Sequence, residues 1–209
     1  MITYPLSMPV IASLGPRKIT FGANNLISAS VSPFTGSQQI VQWLGEWWEA
    51  EIALPEMTLA QAEPWIAFLT ALRGMLGTFY LGDPSRTAPQ GVATGSPVVD
   101  GAQASGGNQL VTSGWTANVN GILLPGDYIQ VGTGATQRLY KNLTQANSNS
   151  SGVATLDIFP VIRAEGVTNG EAIVTANPMG TFRLPVNRRS WQVDYTRLRT
   201  ISFKAMEAI

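Results

Sequence analysis

The run QQIVQWLGEWWEAEIAL, Gln38 to Leu54, constrains the fold of this chain more than any other segment. Its regular alternation, rich in Trp and Ile, marks a long β-strand. Leu44, Trp48, Ala50 and Ile52 fall on one face, and Trp43, Trp47, Glu49 and Glu51 on the other. One face is apolar and needs a core; the other mixes aromatic rings with carboxylates. Leu54-Pro55 ends the strand, and Thr58 with Gln61 three residues on reads as a capping box that opens a helix. Ala62, Trp65, Ile66, Leu69, Leu72 and Leu76 follow at helical spacing as a core-facing stripe. Pro64 lies beyond the first turn, so a kink or restart is expected near Glu63. Arg73 is placed in the last turn, and Gly74 or Gly77 supplies the stop. GTFYLGDP then forms a short strand ended by Asp83-Pro84.

Beyond that point Gly, Ser, Thr, Asn and Val dominate, up to about residue 182. Turn pairs at Gly106-Gly107, Asn120-Gly121, Pro125-Gly126 and Asn169-Gly170 separate strand candidates, which is the pattern of an all-β module. Asp127 to Val131 and Gln137 to Leu143 read as a hairpin across GTGAT, followed by strands at Ala154 to Phe159 and Ala172 to Thr175. The chain returns to long strand patterns at Trp191 to Tyr195 and Arg199 to Met206, which resemble the first segment. The fold class read from this order is mainly β. A β-sandwich with one packed helix, residues 1–86 and 184–209, is interrupted by an inserted β module over residues 87–183.

The chain has no cysteine and no histidine. The first absence excludes disulfides, thiolate nucleophiles and sulfur-ligated zinc. The second removes the Ser-His-Asp and Cys-His arrangements and the commonest metal ligand. Charged residues make up 12% of the chain, against about 25% in ordinary soluble domains. So few charges imply that neighbouring subunits cover much of the surface. The charge is also uneven: residues 183–209 hold six basic and two acidic groups, a net +4. The segment MITYPLSMPVIASLG lacks a basic n-region and is broken by Pro5 and Pro9, so no signal peptide is expected. No apolar run approaches the roughly 20 residues that span a bilayer. Assembly in the cytoplasm, with no membrane partner, is the expectation.

Each candidate site has a plainer reading beside it. Glu46, Glu49 and Glu51 among three tryptophans imitate a glycosidase cleft, but Glu46 points away from the other two on a strand. Gly132-Thr133-Gly134 lacks the helix and lysine of a phosphate loop and reads as a hairpin turn. Asp100, Asp127 and Asp157 are too scattered for a calcium loop and read as turn residues and strand-edge solubilisers. The basic set Arg183, Arg188, Arg189, Arg197, Arg199 and Lys204 has only Trp191 and Tyr195 interleaved, which suits a charged docking surface better than a nucleic-acid patch. No catalytic, cofactor or metal residues are assigned. The residues expected to meet other subunits are Trp43, Trp47, Trp48, Arg188, Arg189, Arg197 and Arg199.

The succession WWEAEIALPEMTLAQAEPWIAFLTALRGMLGTFYLGDP, then LLPGDYIQVG, RLYKNL and GVATLDIFPVIR, then TISFKAMEAI, resembles minor tail proteins of long-tailed, non-contractile bacteriophages. Among these it is most similar to the distal tail protein. The resemblance implies a non-enzymatic virion protein, with residues 1–86 and 184–209 as a ring-building domain. About six copies would surround the DNA channel and join the tail tube to hub or fibre proteins. DNA would only pass through the lumen. The inserted module would project outward or clasp a neighbour. The alternative reading is a carbohydrate- or receptor-binding module in the insertion. Its only ring candidates are Trp115, Tyr128, Tyr140 and Phe159, and the last three lie in patterns that favour burial.

Overall fold

The computed structural model describes residues 1–10, 15–163, 165–193 and 198–209. In chain order, β1 (Lys18–Val31) and β2 (Gln38–Ala53) precede α1 (Leu59–Ala71) and β3 (Thr78–Leu81). Next come β4 (Gly95–Val99), β5 (Gln109–Trp115), β6 (Tyr128–Val131), β7 (Arg138–Asn142), β8 (Ala154–Phe159) and β9 (Ile173–Val174). The chain closes with β10 (Gly180–Arg183), β11 (Gln192–Val193), β12 (Arg199–Thr200) and β13 (Ser202–Glu207). The protein is mainly β with one helix.

Two sheets carry the architecture. The first is antiparallel, in the order β1-β2-β13-β10-β3, so both ends of the chain build it. The second, in the order β4-β5-β8-β7-β6-β9, nearly closes into a barrel. Val98 bridges Ala172, and the Val99 N–H donates to the Glu171 carbonyl at 2.9 Å, bringing the two edges together. β11 pairs with β12 outside these two sheets, and β12 is tied to the segment after β2 by the two backbone hydrogen bonds between Met57 and Arg199, at 2.8 and 3.0 Å.

The alternation read in β2 holds where the strand is packed. Glu46, Trp48, Ala50 and Ile52 are buried, while Glu49 and Glu51 on the opposite face are exposed. On the buried side, α1 packs Trp65, Phe68 and Leu69 against Ile52, Phe79 and Phe203. The second sheet fills the rest of that layer with Tyr128, Leu139 and Phe159, around Trp48 and Phe182. A second core of Val99, Leu110, Trp115, Ile122, Leu123 and Ile129 lies within the barrel. The two sheets therefore share one aromatic core, and the barrel has another of its own.

Several local expectations are corrected. Residues Gly180–Arg183 fall in the range read as insertion, yet they form β10 between β13 and β3. GTFR is too short to show a period, and what places it is Phe182, buried opposite Phe79. The helix runs through Pro64 without restarting. Only one backbone bond near the N-terminus is forfeited there, and the packing of Trp65 and Ile66 holds the turn. Arg73 is not in the last turn: with φ 51° and Gly74 at φ 76°, it already leads the chain away. Leu76 is 69% exposed and outside the core stripe. The Arg199 to Met206 strand breaks at Ile201, whose carbonyl accepts the Leu54 N–H at 2.9 Å. In the Trp191 to Tyr195 strand only Gln192–Val193 pairs, and Tyr195 lies outside the described residues.

Candidate functional site

Beyond the pair Asn25↔Glu46, β1 and β2 leave the body as a two-stranded arm. β13 reaches along β2 only as far as Glu49, so among the described residues the outer edge of Gln38 to Gly45 is unpaired. Among the described residues the outer edge of β1 has no strand partner along its length either. The pairs Ile27↔Gln42, Ser28↔Val41, Ala29↔Ile40, Ser30↔Gln39 and Val31↔Gln38 hold the arm together. By strand alternation Ile27, Ala29, Val31 and Ile40 share one face, and Ser28, Ser30, Gln39 and Val41 the other. A tight turn closes the tip, where the Ser32 N–H donates to the Ser37 carbonyl at 2.9 Å and Phe34 stands 94% exposed.

This arm departs from what an isolated hairpin tolerates. Leu26, Ile27, Ile40, Val41, Trp43 and Leu44 are all exposed on it. No charged residue occurs from Ile19 to Gly45. Two strands alone are marginal in water, and free strand edges are ordinarily blunted by charges, proline or cover. Neither strand of the arm carries a charge or a proline, and among the described residues no segment pairs with these edges.

The three expected interface tryptophans divide. Trp43 is 57% exposed on the arm and remains available to a partner. Trp47 is half-buried, its indole N–H donating to Glu49 Oε1 at 3.1 Å. Trp48 is 4% exposed and belongs to the core, which corrects its assignment as an interface residue. Its indole N–H donates to the Leu139 carbonyl at 3.0 Å, and its ring meets Phe159 edge-on at 4.9 Å. The reason is the even register of β2, which turns position 48 toward the second sheet.

Beside Trp48 the two sheets are joined by buried charge. Arg163, following β8, donates one guanidinium N–H to the Glu46 carbonyl and another to the Glu207 carboxylate. The Val161 N–H donates to Glu46 Oε2 at 2.9 Å, and the Trp48 N–H to Glu207 Oε2 at 3.1 Å. Burial raises Glu207 above the ordinary carboxylate range, with the Arg163 charge acting in the opposite direction. Glu46 is thus a structural acceptor, and it faces away from Glu49 and Glu51. Sequence reading missed both Arg163 and Glu207. Their signal was a charge set among apolar residues, Arg163 closing IFPVIR and Glu207 within AMEAI.

The basic residues do not gather into one patch. Arg188 is exposed, Arg189 reaches back to the Leu69 carbonyl at 3.5 Å, and Arg199 pairs with Glu63 at 3.3 Å. Arg197 lies outside the described residues. Asp127 is not a solubiliser: it is 1% exposed and caps three backbone N–H groups, of Gln90, Gly91 and Leu124, at 2.7 to 3.0 Å. Asp157 accepts from the Thr144 hydroxyl and the Gln109 amide, which hold its carboxyl below the usual range. Among the described residues no three acidic side chains converge as metal ligands. Trp115, Tyr128 and Tyr140 are buried and Phe159 is half-buried against Trp48, so these four candidates form no open row of rings for a sugar to stack on. Burial pushes both tyrosine hydroxyls up to about 12. No described helix is long and apolar enough to cross a membrane. No protein-family model matches the chain, and no curated protein matches it.

Proposed function

We propose that this chain is a structural subunit of a ring at the distal end of a phage tail, joining the tail tube to hub or fibre proteins. The observation that carries the reading is the arm. An uncharged two-stranded element with two free edges and exposed aliphatic and aromatic side chains is stable only when another chain covers it. A closed ring covers every such edge with an identical neighbour and leaves none over. The resemblance in sequence supplies the setting, and the charge content of 12% agrees with a surface mostly taken up by contacts. The carboxylates of β2 have no catalytic part in this reading: one is tied into the sheet junction and two face outward along a strand.

The test is the mass and shape of the purified protein. Native mass spectrometry should give a closed multiple of 22.3 kDa, and electron micrographs should show rings. A monomer at every concentration, alone and with tail-tube protein, would overturn the reading. Cleavage of peptidoglycan or another glycan by the pure chain, lost on Glu49→Gln or Glu51→Gln, would overturn it as well.

A further inference from the structure

We propose that the arm joins copies of this chain head to tail, the free edge of β2 in one copy adding to the free edge of β1 in the next. The inference rests on the ring reading and specifies its contact. Three observations point to a second copy as the occupant. Among the described residues the arm has two free edges on two different strands, so each copy carries both halves of the same main-chain joint. The stretch Ile19 to Gly45 is free of charge on both strands, so neither edge presents a charge that the other must desolvate or repel. The exposed side chains of Leu26, Ile27, Val31, Phe34, Ile40, Val41, Trp43 and Leu44 gather on this one arm, an apolar concentration that marks it as a contact surface.

The head-to-tail sense follows from geometry. Pairing β1 with β1 is isologous: a two-fold axis would close a dimer and leave both β2 edges bare. Pairing β2 with β1 is heterologous, leaves no edge bare once the ring closes, and keeps neighbouring strands antiparallel as they are within the arm. Each sheet face then continues from copy to copy. One face then carries Ile27, Ala29, Val31 and Ile40 interrupted by Gln38 and Gln42, and the other Ser28, Ser30 and Gln39 with Val41, so both are mixed but uncharged.

The absence of cysteine makes the joint directly readable. Ser28→Cys and Ser30→Cys on β1, and Gln39→Cys and Val41→Cys on β2, are made as single variants, so no link can form within a chain. Each is treated with a short bismaleimide alone and in β1/β2 mixtures after mixed reassembly. The expected result is a cross-linked dimer only in the mixtures. Cross-linking of the β1 variants by themselves in an intact oligomer would overturn the head-to-tail joint while leaving the ring reading standing. An intact oligomer with no cross-link in any combination would also overturn it. Monomers throughout would overturn both.

Discussion

Arg163 and Glu207, 44 positions apart in the chain, form a buried ion pair that ties the segment after β8 to β13 of the other sheet. Removing the guanidinium strands the carboxylate. Arg163→Met is therefore expected to cost about 3–5 kcal/mol at neutral pH. The pH dependence has a definite sign. Burial already raises Glu207 above its ordinary value of 4.5 against the pull of Arg163, so losing Arg163 raises it further. A group that binds its proton more tightly folded than unfolded contributes stability fully below its unfolded value, and that contribution is lost as pH rises through the folded value. Urea melts of the variant at pH 4 and pH 7, each referred to the native chain at the same pH, should show the larger deficit at pH 7. An equal deficit at both would mean that the carboxylate is not what the guanidinium serves.

Trp43 and Trp48 should separate cleanly under substitution. Trp48→Ala opens the shared aromatic core and loses the bond to the Leu139 carbonyl, an expected loss of about 3–5 kcal/mol in unfolding free energy. Trp43→Ala touches only the exposed arm, and fold stability should change by less than about 0.5 kcal/mol. Its effect belongs to assembly, read as a lower oligomer fraction in native mass spectrometry at the same concentration.

Asp127 is expected to be among the most sensitive carboxylates in the barrel. Asp127→Ala leaves three backbone N–H groups without their acceptor, each at a cost of about 1–3 kcal/mol where water cannot replace it. Asp157→Ala, whose partners are the side chains of Thr144 and Gln109 near solvent, should cost markedly less. Thermal melts of the two variants should rank in that order.

Replacing residues 88–177 by a short Gly/Ser linker should abolish cooperative folding of the remainder. Loop length is not the obstacle, since closure entropy grows slowly with length. The obstacle is the loss of Tyr128, Leu139, Phe159 and Arg163, which cover Trp48 and neutralise Glu207 in the native chain. The excised segment retains its own core of Leu110, Trp115, Ile122, Leu123 and Ile129 and should fold by itself. Circular dichroism melts of both pieces decide the matter, and a cooperative melt of the linker variant would show the sheets to be independent.

Periodicity in the sequence was sufficient for elements whose signal is local. The β2 alternation, the Thr58–Gln61 start of α1 with its Thr58 N–H to Gln61 Oε1 bond at 3.0 Å, and the β6–β7 hairpin all follow from short-range sterics, capping and turn chemistry. The absence of His and Cys likewise limited the available chemistry before any contact was known. What periodicity cannot carry is which apolar face meets which. Trp43 and Trp48 lie on opposite faces of the same strand, and nothing local says that one face meets a second sheet while the strand's outer half meets solvent. Phe182 joins the first sheet, and Arg163 finds Glu207, only because the barrel folds back over Trp48. Those placements depend on burial shared between segments more than a hundred residues apart, such as Glu46 and Val161, and burial on that scale belongs to the tertiary structure.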